Sequence, residues 1–203
     1  MQPTILQADV HFMISKGLQK FLEINFGYRD VESVASCSAV LKRLKHRRHS
    51  HLVIDIGLSD GSVLEILSVI RSLYSRTKVM IYTAKPYCVY ERALQKFGIC
   101  YYLSKQADET ETLCRFRQFL SDMEDRHQNA AAPYSPFSSL TLRQLEVMHY
   151  LLKGKSGVEI AGALNVTRSA ISILKSQLLE RTGTRSMPEL TVLATRYGMP
   201  ENE

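Results

Sequence analysis

Apolar and polar residues follow two different patterns in the two parts of this 203-residue chain. Up to about residue 120, short apolar runs typical of buried strands alternate with segments whose apolar residues recur at helical spacing. From residue 139 onward only the helical spacing is present. Residues 121–139 between them are rich in Ala, Pro and Ser, which is typical of a linker. We therefore predict two domains, 1–122 and 139–203, with a linker at 123–138.

The N-terminal part alternates apolar strands with amphipathic helices. Strands are predicted at Thr4–Ala8, Asp30–Ala35, Leu52–Ile56, Lys78–Thr83 and Tyr101–Leu103. Helices are predicted at Ile14–Phe21, Ser38–Leu44, Val63–Leu73, Cys88–Phe97 and Thr110–Met123. Apolar strands connected by helices indicate a parallel sheet that helices cover on both faces. We therefore predict an α/β fold with a doubly wound, five-stranded parallel sheet for residues 1–122.

The C-terminal part begins with three helices whose starts are marked by capping residues. Thr141 and Ser156 each stand three residues before a glutamine or glutamate, and such a capping-box pair satisfies the free N–H groups of a helix start. Thr167 precedes the third helix, while Gly154 and Asn165 tolerate the left-handed turns that end the first two. On the second helix we expect a buried face made by Val158, Ile160, Ala161 and Leu164.

The third helix has one apolar face and one polar, basic face. The residues expected to point inward are Ile171, Leu174, Leu178 and Leu179. The opposite face carries Arg168, Ser169, Ser172, Lys175, Ser176 and Arg181. Two helices joined by a tight turn, the second with such a face, are typical of a helix-turn-helix whose second helix fits the DNA major groove. The same spacing also fits a three-helix packing module whose polar face is only solvated.

A set of residues between 140 and 183 decides between these two interpretations. It consists of Leu140, Thr141, Arg143, Glu146, Val147, Gly154, Glu159, Ile160, Ala161, Leu164, Val166, Ile171, Leu179 and Gly183. This set resembles the DNA-binding domain of the LuxR family, in its NarL/FixJ response-regulator branch. The resemblance implies an all-α, four-helix domain with a recognition helix from about Thr167 to Thr182. It also implies a dimerisation helix from Pro188 to about Tyr197, with Ser186 as its cap.

If this helix enters the DNA groove, the outer face of Thr167–Arg181 supplies the side chains that meet DNA. We expect base edges to be contacted by Ser169, Ser172, Ile173 and Ser176, and phosphates by Arg168, Lys175 and Arg181. The chain departs from the family at Ala170, Leu174, Gln177 and Thr182, where threonine, histidine, asparagine and leucine are usual. These departures affect the DNA sequence that is read rather than the fold.

Polar residues follow the predicted strands of the N-terminal domain where those strands end. Asp9 follows the first strand, Asp55 lies near the end of the third, Thr83 ends the fourth and Lys105 follows the fifth. Because the carboxyl ends of parallel strands meet at one edge of a sheet, these groups should converge. A carboxylate, a hydroxyl and an ammonium group at one point are typical of a phosphoryl site, with a carboxylate as nucleophile and Mg²⁺ as counter-ion.

This set resembles the receiver domain of response regulators over residues 3–122. The resemblance assigns Asp55 as the phosphoacceptor, Thr83 as the switch hydroxyl, Tyr102 as the switch aromatic residue and Lys105 as the invariant lysine. Receivers carry two adjacent acids after the first strand, whereas here Val10 stands where the acid that touches Mg²⁺ is expected. Because an isopropyl group offers no ligand to this ion, we predict that phosphorylation is weak or absent and expect no resident cofactor.

A basic stretch, KRLKHRRHSH, occupies residues 42–51. It fits a patch for DNA or polyphosphate, a metal site made by His46, His49 and His51, or the solvated end of a helix with its loop. We favour the solvated helix end because no cysteine or second histidine cluster completes a ligand set, and we predict no metal site. As a solvated run it could still add non-specific attraction to DNA.

Composition narrows the class of protein. The net charge of +6 favours an acidic partner such as DNA. Four scattered cysteines without a C-x-x-C pair indicate reduced thiols, and there is neither an apolar run of about 18 residues nor a secretory signal. We therefore expect a cytoplasmic protein that does not cross a membrane. We also expect that it is not an enzyme, because the candidate site at the strand ends lacks a metal ligand and no second catalytic base appears.

Two functions remain open. The first is a bacterial transcriptional regulator of the NarL/FixJ type that binds specific double-stranded DNA as a homodimer, because one helix reads too few bases. The alternative is an auxiliary protein that forms a heterodimer with a related regulator and modifies the partner's DNA binding. Ala170, Leu174 and Val10 motivate the alternative.

Overall fold

The computed structural model describes residues 4–121 and 135–199, and these fall into two compact units. Residues up to 84 and from 97 to 121 form the first unit, whereas residues 85–96 and 135–199 form the second. The first unit contains every strand of the described residues, and the second is helical. The predicted helix near residues 88–97 therefore clusters with the C-terminal residues, although it lies between two strands in the chain.

A five-stranded parallel sheet forms the centre of the first unit. Its strands are β1 (Ile5–Ala8), β2 (Val31–Val34), β3 (His51–Ile54), β6 (Lys78–Thr83) and β7 (Tyr101–Ser104). A short antiparallel hairpin of β4 (Gly57–Leu58) and β5 (Gly61–Ser62) follows β3. The strand order β2-β1-β3-β6-β7 is that of a doubly wound sheet whose direction of winding reverses between β1 and β3. The predicted α/β fold is confirmed.

Apolar side chains are buried on both faces of this sheet. The helices between and after the strands are α1 (Phe12–Phe26), α2 (Cys37–His46), α3 (Leu67–Leu73), α4 (Tyr87–Lys96) and α5 (Glu109–Leu120). On one face, Leu22 of α1 and Phe116 of α5 pack with Ile5 and Val53. Leu52, which points to the opposite face, is also fully buried. Burial on both faces explains why the strands are continuous apolar runs.

The helix predicted at Val63–Leu73 is divided in the structure. Val63–Glu65 form a single 3-10 turn, and α3 begins only at Leu67. Ser62 and Glu65 form a capping box that fixes the 3-10 turn directly after the β4–β5 hairpin. The continuous apolar spacing of this segment therefore predicted the buried face correctly but not the break.

The basic stretch is less solvated than predicted. His49 and His51 are 3% and 5% exposed, so the solvated-loop prediction is wrong for both residues. His51 Nε2 lies 3.1 Å from the carbonyl oxygen of Phe119, and Arg47 forms ion pairs with Asp30 and Glu32. His51 thus connects β3 to α5 and gives a buried imidazole the partner that it needs. Arg47 connects the end of α2 to β2 through Glu32.

The second unit contains the four predicted C-terminal helices. They are α6 (Leu142–Leu152), α7 (Gly157–Ala163), α8 (Arg168–Thr182) and α9 (Met187–Arg196). The side chain of the residue before each helix accepts a hydrogen bond from a backbone N–H, and the four capping residues are Thr141, Ser156, Thr167 and Ser186. Asn165 has a φ of 50° in the turn between α7 and α8, as its tolerance of this conformation predicts. Within the described residues, no helix combines the length and apolar character that a bilayer span requires.

The core of the second unit joins α6, α7 and α8, and it corrects one prediction. Ile160, Leu164 and Ile171 are buried in it, whereas Val158, predicted to be buried, is 61% exposed. Ile160 follows Val158 by two positions, which places the two side chains about 200° apart around a helix. Val158 therefore lies on the face of α7 opposite the core.

An ion pair links α6 to the end of α7. Arg143 Nη1 donates to Glu146 Oε2 at 2.8 Å, and Arg143 Nη2 donates to the carbonyl oxygen of Leu164 at 3.0 Å. The Glu146 side chain is only 5% exposed. Arg143 thus satisfies a buried carboxylate and a free carbonyl at a helix end with one guanidinium group.

The predicted linker at 123–138 lies mostly outside the described residues. Within its described part, Ser135 caps a 3-10 turn at Pro136–Ser139. Phe137 in this turn is fully buried and makes an edge-on contact with Tyr197, with the ring centroids 5.6 Å apart. The turn therefore belongs to the helical unit.

His149 makes the stability of the second unit depend on pH. Its side chain is buried and Nε2 has no hydrogen-bond partner among the described residues. Burial, reinforced by Lys153 and Lys85, lowers the pKa of His149 from 6.5 to about 3. Because the unfolded chain binds this proton more tightly, the stability is fully present above pH 6.5 and is lost as the pH falls toward the folded-state value.

We expect the pH dependence to decrease when His149 is replaced by phenylalanine. Between about pH 7.5 and about pH 5, protonation in the unfolded state costs the wild type about 2 kcal/mol that the variant does not lose. Urea unfolding of both proteins at both pH values measures the difference. The exposed His46 provides the control, because a His46→Gln variant should retain the wild-type dependence. An equal loss of stability in His149→Phe and the wild type would contradict the assignment.

Candidate phosphoryl site and nucleic-acid interface

The sheet register brings three of the predicted site residues together at one edge. Ala8 pairs with Ile54, so Asp9 and Asp55 follow neighbouring strands at the same level. The Asp55 N–H donates to the carbonyl oxygen of Ala8 at 2.9 Å, which continues the ladder by one residue. Lys105 follows β7, and its N–H donates to the carbonyl oxygen of Thr83 at 2.9 Å. The expected convergence of Asp9, Asp55 and Lys105 is thus present.

Lys105 bridges the two carboxylates. Its Nζ lies 2.6 Å from Asp9 Oδ2 and 2.5 Å from Asp55 Oδ2, and all three side chains are at most 10% exposed. Burial by itself lowers the pKa of Lys105, but the carboxylates of Asp55 and Asp9 outweigh it and raise that pKa. The lysine is therefore charged, and it neutralises one of the two negative charges in the cluster.

His11 is part of this cluster, although the sequence reasoning did not single it out. Asp9 Oδ1 accepts the backbone N–H of His11 at 2.9 Å and lies 3.0 Å from its ring Nδ1. Val10 between them is 41% exposed. The only sequence signal for this role was a histidine two positions after the strand-end acid.

The donor set fits Mg²⁺ poorly. This ion prefers oxygen ligands from carboxylates, carbonyls and water in octahedral geometry. Asp9 and Asp55 are carboxylates, but both contact the ammonium of Lys105, and Val10 brings no donor. The third side chain near the two acids supplies an imidazole nitrogen instead.

Thr83 and Tyr102 lie on the two strands that follow β3 in the sheet order. Thr83 ends β6, which pairs with β3, and its side chain is fully buried. Tyr102 lies on β7 opposite Ile81 and is half-buried. Their assignment as switch residues stays a prediction.

The outer face of α8 carries the predicted DNA-contacting residues. Those with exposed side chains are Arg168, Ser169, Ser172, Ile173, Ser176 and Arg181, and Lys175 is half-buried. Ile171 and Leu178 on the inner face are 2% and 0% exposed. The helix starts after the Thr167 cap and ends before Gly183. Gly183 adopts a left-handed φ of 69° with little strain because it has no side chain. Basic and hydroxyl groups thus stand opposite the core along four turns.

Two of these residues also make contacts within the unit. The Ser172 hydroxyl donates to the carbonyl oxygen of Arg168 at 3.2 Å, one turn earlier. Arg181 Nη1 donates to the carbonyl oxygen of Ser139 at 2.8 Å, so this arginine holds the Pro136–Ser139 turn against α8. A guanidinium group has five N–H donors, and this bond uses one.

Both halves of the chain match known protein families. Residues 5–117 match the family model for the response regulator receiver domain. Residues 138–194 match the family model for bacterial regulatory proteins of the luxR family. The first match alone spans more than half of the chain.

Known proteins resemble the chain over nearly its whole length. The nitrate/nitrite response regulator protein NarP of Escherichia coli (strain K12) is 24% identical over 203 residues, covering 93% of each chain. RcsB from Salmonella enterica serovar Typhimurium, solved bound to a promoter with phosphomimetic BeF3⁻, has a TM-score of 0.74 at 17% identity and covers 97% of this chain and 99% of that one. A structure of two RcsB dimers bound to two parallel DNAs has a TM-score of 0.77 at 18% identity, covering 94% and 98%.

The solved structures share the fold at these identities, and the family matches follow the order of the two units along the chain. The five-stranded parallel sheet, the acid and lysine at the strand ends and the helix over the expected recognition segment agree with the resemblances. The chain belongs to the NarL/FixJ-type response regulators, which join a receiver domain to a LuxR-type helix-turn-helix domain.

Proposed function

We propose that this protein is a cytoplasmic transcriptional regulator that binds specific double-stranded DNA through α8. The observation that carries the proposal is the composition of the exposed face of α8, where arginine and serine side chains surround Ile173. Serine hydroxyl groups can hydrogen-bond to base edges, an apolar side chain can contact the thymine methyl group, and basic side chains can bind phosphates.

The base-edge contacts are assigned to Ser169, Ser172, Ile173 and Ser176, and the phosphate contacts to Arg168, Lys175 and Arg181. Ile173 is 58% exposed, so its apolar side chain is accessible to a thymine methyl group. Lys175 is half-buried, and a lysine can lay its methylene chain on the helix while its ammonium group reaches a phosphate.

We propose that the protein binds DNA as a dimer. One recognition helix covers few base pairs, whereas two related by a two-fold axis read two half-sites one helical turn apart. The solved RcsB assembly that shares this fold is a pair of dimers on DNA. On α9, Val192 is 53% exposed and offers an apolar side chain for such an interface.

We also propose that phosphorylation of Asp55 is weak or absent. Lys105 already contacts Asp55 and Asp9, and position 10 supplies no acid for Mg²⁺. The receiver domain then serves as a dimerisation or partner-binding module, and DNA binding by α8 does not require phosphorylation of Asp55.

The alternative function, modification of a related regulator within a heterodimer, is favoured by one observation. The family usually has a histidine at position 174, whereas Leu174 packs against the core of the helical unit. This departure removes a polar side chain from the region that meets DNA. A gel shift with the chain alone and then with related regulators separates the two functions.

We expect Lys175→Ala to weaken DNA binding on all sequences. Duplexes selected from fragmented genomic DNA with the purified chain provide the probes, and fluorescence anisotropy at several salt concentrations gives Kd. Loss of one phosphate contact should reduce the slope of log K against log salt by about 0.9. Lys16→Ala on α1 is the matched control and should leave the slope unchanged. If no duplex is selected by the chain or its mixed dimers, the proposed function is wrong, and an unchanged slope in Lys175→Ala contradicts the phosphate contact.

We expect acetyl phosphate with Mg²⁺ to leave Asp55 largely unmodified. Intact-mass measurement of the treated protein detects an added phosphoryl group, and a Val10→Asp variant serves as the gain-of-function control because it restores the missing acid. Only the variant should acquire the added mass. Stoichiometric modification of the wild type, absent in Asp55→Asn, would overturn the proposal.

We expect Lys105→Met to destabilise the receiver domain strongly. Removing the ammonium group leaves two buried carboxylates without their counter-charge, which should cost about 3–5 kcal/mol in the free energy of unfolding. Urea unfolding at neutral pH measures this cost. Lys42→Met, which removes an exposed lysine from α2, should change the stability by less than about 0.5 kcal/mol. Similar effects from the two substitutions would show that Lys105 is not the counter-charge.

A further inference from the structure

The cluster at the sheet edge adds a histidine, His11, to the two carboxylates expected from the receiver resemblance. Among the described residues, one group of His, Cys, Asp and Glu side chains is close enough to hold a metal ion, and it consists of Asp9, His11 and Asp55. One ligand atom from each lies within 4.8 Å of the others. The histidines of the basic stretch do not form such a group, since His49 and His51 are buried in other contacts.

The spacing of these atoms suits direct ligation. Asp9 Oδ1 and His11 Nδ1 are 3.0 Å apart. Two ligands at right angles on an ion with bonds of about 2.1 Å are separated by about 3.0 Å, and two opposite ligands by about 4.2 Å. At most one pair of three donors can be opposite, so the Asp55 oxygen has to close by up to about 1.8 Å toward the other two donors, which side-chain rotation provides.

The charge of the cluster also favours a cation. Two carboxylates and the single ammonium of Lys105 leave one net negative charge at a site where Asp9 and Asp55 are 8% and 7% exposed. Lys105 approaches Oδ2 of each carboxylate, whereas the oxygen of Asp9 that faces His11 is Oδ1. Because a carboxylate has about four lone-pair sites, Asp9 can bind both an ammonium group and a metal ion.

The nature of the donors selects the class of ion. Imidazole nitrogen binds late first-row ions such as Zn²⁺, Ni²⁺ and Co²⁺ far better than it binds Mg²⁺, whose ligands are oxygen atoms. His11 is 41% exposed, so the site opens to solvent and leaves coordination positions for water. The segment that has Val10 in place of an acid also brings the imidazole of His11 to the edge of the sheet, next to Asp9.

We propose that Asp9, His11 and Asp55 form a binding site for a late first-row divalent transition-metal ion, which replaces Mg²⁺ as the ion of this receiver domain. This revises the sequence-based prediction of no metal site, which considered Mg²⁺ at the strand-end acids and the histidines near residues 46–51 but not His11. All three ligands belong to the first unit, so metal binding at this site does not depend on DNA binding by α8.

The test is a titration of the purified, tag-free full-length chain with Co²⁺, followed by its visible absorption, and with Zn²⁺ and Mg²⁺ by calorimetry. We expect one equivalent of Co²⁺ to bind, and Zn²⁺ to bind much more tightly than Mg²⁺. His11→Ala should weaken Co²⁺ binding at least about tenfold, because even loss of a group that only orients a metal ligand costs about 10–100-fold.

Three controls make the result specific. His46→Ala removes an exposed histidine and should leave Co²⁺ binding unchanged. His11→Asp supplies an oxygen ligand in place of nitrogen and should shift the preference from Co²⁺ toward Mg²⁺, which a purely structural role of His11 would not do. Circular dichroism confirms that each variant is folded.

Several results would overturn the proposal. They are the absence of stoichiometric Co²⁺ binding by the wild type, equal binding by His11→Ala, equal affinity for Mg²⁺ and Zn²⁺, and a thiolate-to-cobalt charge-transfer band. Such a band would place the ion on one of the exposed cysteines, Cys100 or Cys114. Each outcome is read from metal binding alone, so it is independent of the DNA-binding measurements.

Discussion

The contact of Lys105 with Asp9 and Asp55 is the interaction on which the N-terminal half depends. Parallel strands deliver these three residues to one edge of the sheet, and the short distances place an ammonium group between two buried carboxylates. Either charge alone would be costly to bury, so the arrangement holds β1, β3 and β7 in a fixed relation. Because Val10 stands in place of an acid, the cluster keeps the lysine and has one carboxylate fewer, and this is why we propose cation binding rather than phosphoryl transfer at this site.

The helical unit fixes its recognition surface by contacts of its own. Arg143 ties α6 to the end of α7 through Glu146 and the Leu164 carbonyl oxygen, while Thr167 sets the start of α8. Arg181 joins the other end of α8 to the turn at residues 136–139. Because each contact lies inside the unit, the polar face of α8 needs no phosphoryl group to take its shape. This is the physical basis for proposing a regulator that is competent without modification.

The sequence predicted those features that depend on local pattern. Apolar runs and helical spacing gave the five strands and the C-terminal helices, and the rule for strand ends predicted that Asp9, Asp55 and Lys105 meet. Features set by tertiary contacts were not predictable. The burial of His51 depends on a carbonyl oxygen 68 residues away, and two-residue strands such as β4 have no periodicity. His11 was missed because its role follows from the turn that directs its ring toward Asp9.

We propose that α8 binds DNA without a phosphoryl group on Asp55, and a comparison of three forms of the protein measures whether it does. Anisotropy titrations of a genomically selected duplex with the untreated wild type, the wild type treated with acetyl phosphate and Mg²⁺, and Asp55→Asn give three Kd values under identical salt. We expect the three Kd values to agree within experimental error, because DNA binding by α8 should not depend on phosphorylation of Asp55. Tight binding that appears only after treatment of the wild type, and is absent in Asp55→Asn, would contradict it.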